Sequence, residues 1–175
     1  MALDVELTTV SGPWLRHTPA GANPATRPIP ADDNRWQRGK VVDALHLCQA
    51  VACVWAEWYR HLAERGIPPQ LALPRDLWPY EIDGLEVADL RTSHRRMRVG
   101  LPEPLPGRRS WPLFQGVGEQ LYSEGFAGLL APSAARPQSV VLCVFLPTMT
   151  IPDTLRPLRP ERIDHVPPPP TGMRT

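Results

Sequence analysis

Three residues of unlike chemistry, Arg35, Glu57 and Ser133, stand where a fold could bring them into one site. Arg35 lies in a turn-rich stretch, Asp-Asp-Asn-Arg-Trp-Gln-Arg-Gly, just ahead of an aliphatic run. From its loop alone it is by default an ordinary loop cation, although a guanidinium's planar, permanently charged fork also matches phosphate oxygens. Glu57 falls in a helix-like run, Ala-Glu-Trp-Tyr-Arg, well off the centre of that helix's apolar stripe. It offers a fixed negative charge; the plainer alternative is a surface pair with His61 at i+4. Ser133 follows Pro132 with no G-x-S-x-G phrase around it. That argues against a hydrolase nucleophile, and the plain reading is a turn residue making a local hydrogen bond. His46, on a strand-like run, could line a site or serve as a satisfied rim histidine. Cys48, Cys53 and Cys143 lack metal-ligand spacing, so no metal is expected.

The elements that must position these residues can be read from periodicity. Residues 17–34 are loop-like, rich in Pro and Gly, and a loop this long in a compact domain is often functional. A strand is expected over 41–47 and a helix over about 50–65, with Val51, Trp55, Trp58 and Leu62 as its apolar stripe and Gly66 and Pro68 as its stop. Short strands follow over 76–83, which contains Pro79, and over 85–90. An Arg- and Pro-rich connection spans 91–109, with a short helix near Ser93. A second main helix is expected over 110–124, capped by Ser110, with Leu113, Phe114, Val117 and Leu121 buried. Strands over 128–131 and 140–146 close the pattern. The latter is apolar throughout and should be covered on both faces. Strands mixed with two main helices, without βαβ repetition, indicate an α+β fold: one compact domain with a small mixed β-sheet core. That domain is expected over residues 1–146. Residues 147–175, crowded with proline, read as an extended tail that wraps the domain or hangs free.

Composition narrows the class. With 175 residues and 42% hydrophobic side chains, the chain suits one folded domain. A net charge of +1 argues against a dedicated nucleic-acid binder, although Arg91, Arg95, Arg96, Arg98, Arg108 and Arg109 cluster in sequence. The N-terminus carries acids where a signal peptide has bases, and no apolar run approaches the roughly 20 residues that cross a bilayer. A cytoplasmic protein with reduced thiols and no membrane contact is the expectation.

The order of Arg, Glu and Ser resembles the RES-domain family, named for those residue types. Trp14-Leu15-Arg16-His17 is similar to the phrase that carries the family's first Arg at the end of its opening strand. Arg35-Trp36 with Gly39 resembles the family's Gly-Gly-Arg-Trp-Asn-x-x-Gly, with Asp33-Asn34 in place of the glycines and Gln37 in place of Asn. His46-Leu47-Cys48 stands where many members have Tyr-Leu-Ala. Glu57 and Ser133 match the family's Glu and Ser, and the resemblance covers about residues 14–145. It implies an ADP-ribosyltransferase-like core and a bacterial toxin that degrades NAD by cleaving the nicotinamide–ribose bond, with inorganic phosphate or water as acceptor. Such cleavage builds positive charge on the ribose, as in glycoside hydrolysis. By the resemblance, Arg16 and Arg35 hold the pyrophosphate, with His17 in the same NAD-binding set. Glu57 bonds the ribose and opposes its cation, His46 and Trp36 frame the nicotinamide, and Ser133 anchors ribose or carboxamide. An antitoxin partner with an Xre-like DNA-binding part is implied, with no nucleic-acid contact by the toxin itself, and a homodimer is left open. Two alternatives use the same residues: ADP-ribosyl transfer to a macromolecule, and a catalytically degenerate binding module. With His46 in place of Tyr, activity should carry an acid limb near the ordinary histidine pKa of about 6.5.

Overall fold

Side chains alternate across each strand, and here both faces are covered, so one sheet builds two cores. The computed structural model describes residues 2–147 and 151–174. In chain order the elements are β1 (Leu7–Pro19), β2 (Ala44–Cys48), α1 (Val51–Arg65), a 3₁₀ turn (Pro69–Ala72), β3 (Arg75–Asp89), α2 (Ser93–Arg98), α3 (Trp111–Ser123), β4 (Gly128–Pro132), β5 (Val140–Phe145), β6 (Leu155–Pro157) and β7 (Glu161–Ile163). The sheet runs β1-β2-β5-β4-β3, and β3 pairs back onto β1 along most of its length, so five strands close on themselves. Closure covers most strand edges, but β3 pairs with β4 only at Ala88 and Asp89, and its earlier stretch keeps an edge that β6 and β7 take up. Among the described residues only β3 and β4 run parallel, joined by a crossover through α2 and α3; the sheet is therefore mixed.

Val10, Trp14, Leu45, Leu47, Tyr80, Ile82, Val87, Leu142 and Val144 fill the inside of the closed sheet. The alternate residues of the same strands face outward. Ala44, Leu129, Ala131, Cys143 and Phe145 pack under Phe114, Val117 and Leu121 of α3. Cys48 and Leu77 pack under Val54, Trp55, Trp58 and Leu62 of α1. The expected coverage of residues 140–146 on both faces is thus explained. Gly118 sets how closely α3 approaches: a Cβ there would stand 2.1 Å from the Trp36 carbonyl oxygen. Gly118→Ala should cost about 1–3 kcal/mol through forced separation of helix and loop, read as a lower urea midpoint.

Several boundaries differ from expectation. The strand expected over 41–47 starts at Ala44, because Val41 and Val42 donate to the Arg38 carbonyl in a turn. The two strands expected on either side of Gly84 are one, β3. Pro79 is tolerated within it, and its carbonyl accepts from the Leu158 N–H. Val51 and Leu113, placed on the buried stripes by periodicity, are exposed on the first turns of their helices. Ser110 makes no side-chain cap bond.

The proline-rich segment wraps the domain. β6 and β7 pair with β3, and Leu155 enters the core inside the closed sheet. Farther on, Tyr59 on α1 donates to the Pro167 carbonyl, and the Arg174 N–H donates to Ala135. Residues 148–150 and 175 of the expected tail lie outside the described residues. The sequence cluster of arginines does not form a free basic patch. Arg91 and Arg95 pair with Asp89, Arg95 and Arg98 with Glu6, and Arg98 with Asp4, so Asp89 and the N-terminal acids neutralise these three, while Arg96 is buried and Arg108 borders the main cavity. No helix among the described residues is long and apolar enough to cross a membrane.

Candidate active site

Period-two alternation sends Leu45 and Leu47 into the core and turns His46 the other way, toward a cavity of about 750 Å³. The end of β1, the loop before β2, one face of α1, the approach to α3 and the segment after β4 line this cavity. Glu57 faces it from α1, beside Arg60 and Glu64 at helical spacing. The Ser133 hydroxyl donates to Glu57 Oε1 at 2.6 Å, and the Ala135 N–H reaches the same oxygen at 3.4 Å. Arg60 Nε donates to Glu57 Oε2 at 2.9 Å. Burial by itself would raise this carboxyl's pKa. The Arg60 cation, the Ser133 hydroxyl and the Ala135 amide outweigh it and hold Glu57 below the usual glutamate range. Glu57 is therefore a carboxylate at neutral pH.

Ser133 is completely buried and stands behind Glu57. Its own oxygen accepts from the Arg136 N–H at 2.9 Å, which leaves the hydroxyl hydrogen for the carboxylate. Its neighbours Pro132 and Ala134, rather than Ser133 itself, line the cavity. The contact it makes is with Glu57, not with the cavity space where the sequence reading put it.

Arg35 lies in a turn closed by the Asn34–Gln37 bridge. Gln115 of α3 pins that turn by donating to the Asn34 carbonyl at 2.8 Å. The guanidinium packs over Phe114, 5.1 Å from the ring centroid, and donates to Ser110 Oγ and the Leu105 carbonyl. Burial and the nearby Arg60 lower its pKa to about 10, so it remains a cation. Arg16 donates to the Pro24 and Thr26 carbonyls and thereby fastens the loop after β1. Each of these guanidiniums keeps further N–H groups for a ligand. Trp36 borders the cavity, but its indole packs edge-on against Phe114 in the core.

His17 stacks on Trp55 at 5.8 Å, and its Nδ1 accepts from Arg75 at 2.7 Å. Burial, then the Arg75 and Arg16 cations, push its pKa well below the ordinary value. His46 Nε2 stands 2.9 Å from Asn34 Nδ2 and 3.2 Å from Gln37 Oε1. The Trp36 N–H occupies Asn34 Oδ1 and the Gln37 amide nitrogen donates to the Asp32 carbonyl, so Nε2 faces an Asn34 N–H and the Gln37 carbonyl oxygen together. Burial and Arg16 lower the His46 pKa to about 4. The imidazole is neutral throughout the physiological range, and the acid limb expected near pH 6.5 moves well below it.

The structure thus gathers Arg16, His17, Arg35, Trp36, His46 and Glu57 around one cavity, with Ser133 one layer behind. Arg60, Glu64, Asn34, Gln37 and Gln115 were missed. The Glu57–Arg60–Glu64 spacing was legible as neighbours on a helix face. The Gln115 contact crosses from α3 to a distant loop and has no local signal. Seven arginines and four carboxylates line the cavity, whereas the whole chain has a net charge of only +1. The positive field is therefore concentrated here.

A closed mixed sheet flanked by two main helices, with a cationic cavity beside an ionised glutamate, defines an α+β domain suited to an anionic ligand. Comparison with protein families matches the RES domain over residues 10–166, and the chain belongs to the RES-domain family. That match runs past the boundary expected after residue 146 and takes in both wrapping strands. Among solved structures, the fold is similar to a chain of the M. tuberculosis MbcT–MbcA toxin–antitoxin complex, with a TM-score of 0.76 and 22% identity, covering 90% of this chain and 87% of that one. No curated protein matches the sequence.

Proposed function

We propose that the protein is a RES-type toxin that degrades NAD by cleaving its nicotinamide–ribose bond, with phosphate or water as acceptor. The observation that carries this reading is Glu57. It is an ionised carboxylate, held from behind by Ser133 and Ala135, at the wall of an arginine-rich cavity. As the C1′–N bond breaks, its electron pair leaves with nicotinamide and the ribose gains positive charge. A fixed carboxylate stabilises that charge more than it stabilises the ground state. Arg16 and Arg35 supply N–H groups for the pyrophosphate. The neutral His46 and the Asn34 and Gln37 amides offer polar edges to a carboxamide, and a neutral ring avoids repelling the already positive nicotinamide. Ser133 positions Glu57. The structural neighbour's origin in a toxin–antitoxin complex supports an antitoxin partner for this chain as well, of the Xre-like kind that the family resemblance implies.

The test is nicotinamide release from NAD by the purified chain, with and without inorganic phosphate, followed by labelled-NAD transfer onto cell extract. Free ADP-ribose or its phosphate supports the proposal; label on a macromolecule instead supports ADP-ribosyl transfer. No turnover supports a degenerate module. Arg35→Lys keeps the charge and loses the planar fork, so NAD affinity should fall about ten-fold. Calorimetry on the folded variant checks this, and unchanged affinity would remove Arg35 from phosphate binding.

A further inference from the structure

On α1, Glu57, Arg60 and Glu64 lie along one face, and all three border the cavity. The Arg60 guanidinium is shared. Nε and Nη2 meet Glu57 Oε2, each at 2.9 Å, and Nη1 meets Glu64 Oε1 at 2.6 Å. Glu64 Oε1 also accepts from the Gly107 N–H at 3.2 Å, which fastens the loop before α3 to the helix. That loop carries Leu105, whose carbonyl accepts from Arg35. All three side chains are mostly buried, Arg60 at 15% exposure and Glu64 at 14%.

A cation against Glu57 has two opposing consequences. It favours the ionised form, which the chemistry needs, and it screens the charge that should face the ribosyl cation. Glu64 resolves the conflict, because two carboxylates around one guanidinium leave the group with one net negative charge. We propose that Arg60 and Glu64 are positioning residues for NAD cleavage: Arg60 fixes Glu57 Oε2, and Glu64 takes up the surplus positive charge and locks the pair to the Gly107 loop. This rests on the NAD-cleavage reading above. The other groups facing Glu57 are Arg35 from the loop before β2, His46 and Cys48 from β2, and the Ser133 hydroxyl after β4. None of them contacts Arg60 and Glu64 in the way these two contact each other.

The two residues predict opposite signatures. In Arg60→Gln the carboxylate loses its cation while remaining buried. Glu57 should then titrate about one pH unit or more higher, and the acid limb of kcat should rise with it. In Glu64→Gln all of the Arg60 charge falls on Glu57. The carboxylate should titrate no higher than in the wild type, yet kcat should fall about ten-fold with KM little changed. Arg60→Lys, which restores a cation, should recover part of the low titration. The measurements are kcat and KM for nicotinamide release against pH, and carbon-detected NMR titration of the Glu57 carboxylate in each variant, with thermal unfolding to confirm the fold. Wild-type titration of Glu57 in Arg60→Gln overturns the role of Arg60, and wild-type kcat in Glu64→Gln overturns that of Glu64. If the wild type releases no nicotinamide, the proposed function and any role in cleavage fall together. The NMR titration then still decides whether Arg60 sets the state of the carboxylate. Should Arg60→Gln fail to fold, Arg60→Met gives the uncharged comparison, and wild-type titration of Glu57 in it overturns the role of Arg60 in the same way.

Discussion

Replacing Glu57 by Gln should lower nicotinamide release by about a thousand-fold, the scale seen when a preorganised charge that faces a developing ion is removed. Gln keeps the size and one acceptor oxygen, so Ser133 and the Ala135 amide can still bond to the side chain. What is lost is the negative charge opposite the ribose. The substitution should leave NAD affinity almost unchanged, because the pyrophosphate contacts are assigned to Arg16 and Arg35. In bacteria, expression of the intact chain should deplete NAD and expression of the variant should not. Similar turnover by both purified proteins would reject Glu57 as the group that stabilises the ribosyl cation.

Stability should fall steeply in mild acid, and His46 should account for much of the fall. Its pKa is about 4 in the folded protein and about 6.5 in an unfolded chain. Between those values the unfolded chain binds more protons, so folding stability rises with pH across this window and is lost as pH falls through it. The loss from His46 amounts to about 3 kcal/mol on going from neutral pH to about pH 4. His17, lowered for the same reason of burial, adds in the same direction. Urea unfolding followed against pH checks this. His46→Gln retains a polar side chain without a titrating group and should show a shallower loss over that range. An equal loss in wild type and variant would mean that other groups control the acid response. Activity above about pH 6 should show no limb from His46, in contrast to what an exposed imidazole would give.

Much of the site was legible in the chain because its residues are held by local order. The loop before β2, the strand that carries His46 and the helix that carries Glu57 follow one another, and the family phrases with Arg35, Glu57 and Ser133 survive in them. The separation of His46 from Leu45 and Leu47 follows period-two alternation along the observed β2. The helix stop at Gly66 was also legible: it adopts a left-handed φ of 64°, and its N–H closes on Ala63 and Leu62. Val51 and Leu113 show where periodicity fails, since a helix's first turn can match the stripe while projecting beyond the surface that would cover it.

The sequence by itself determined the element types, the α+β class, the family and the candidate residues, because these depend on periodicity, turn chemistry and short phrases. Only the tertiary structure decided what each candidate contacts. Closure of β3 onto β1 is a long-range pairing that leaves no local mark, and it sets Arg16 and Arg75 opposite the helix face of Glu57. Burial, which no single residue reports, keeps His46 neutral, whereas Arg60, Ser133 and the Ala135 amide keep Glu57 charged in spite of burial. Ser133 became a support for Glu57 once β4 was seen to deliver it behind the helix, at 2.6 Å from the carboxylate. The proline-rich segment could not be assigned from composition, because wrapping depends on whether β3 offers an edge. It does, and β6 and β7 occupy that edge with the short extended pieces that proline allows.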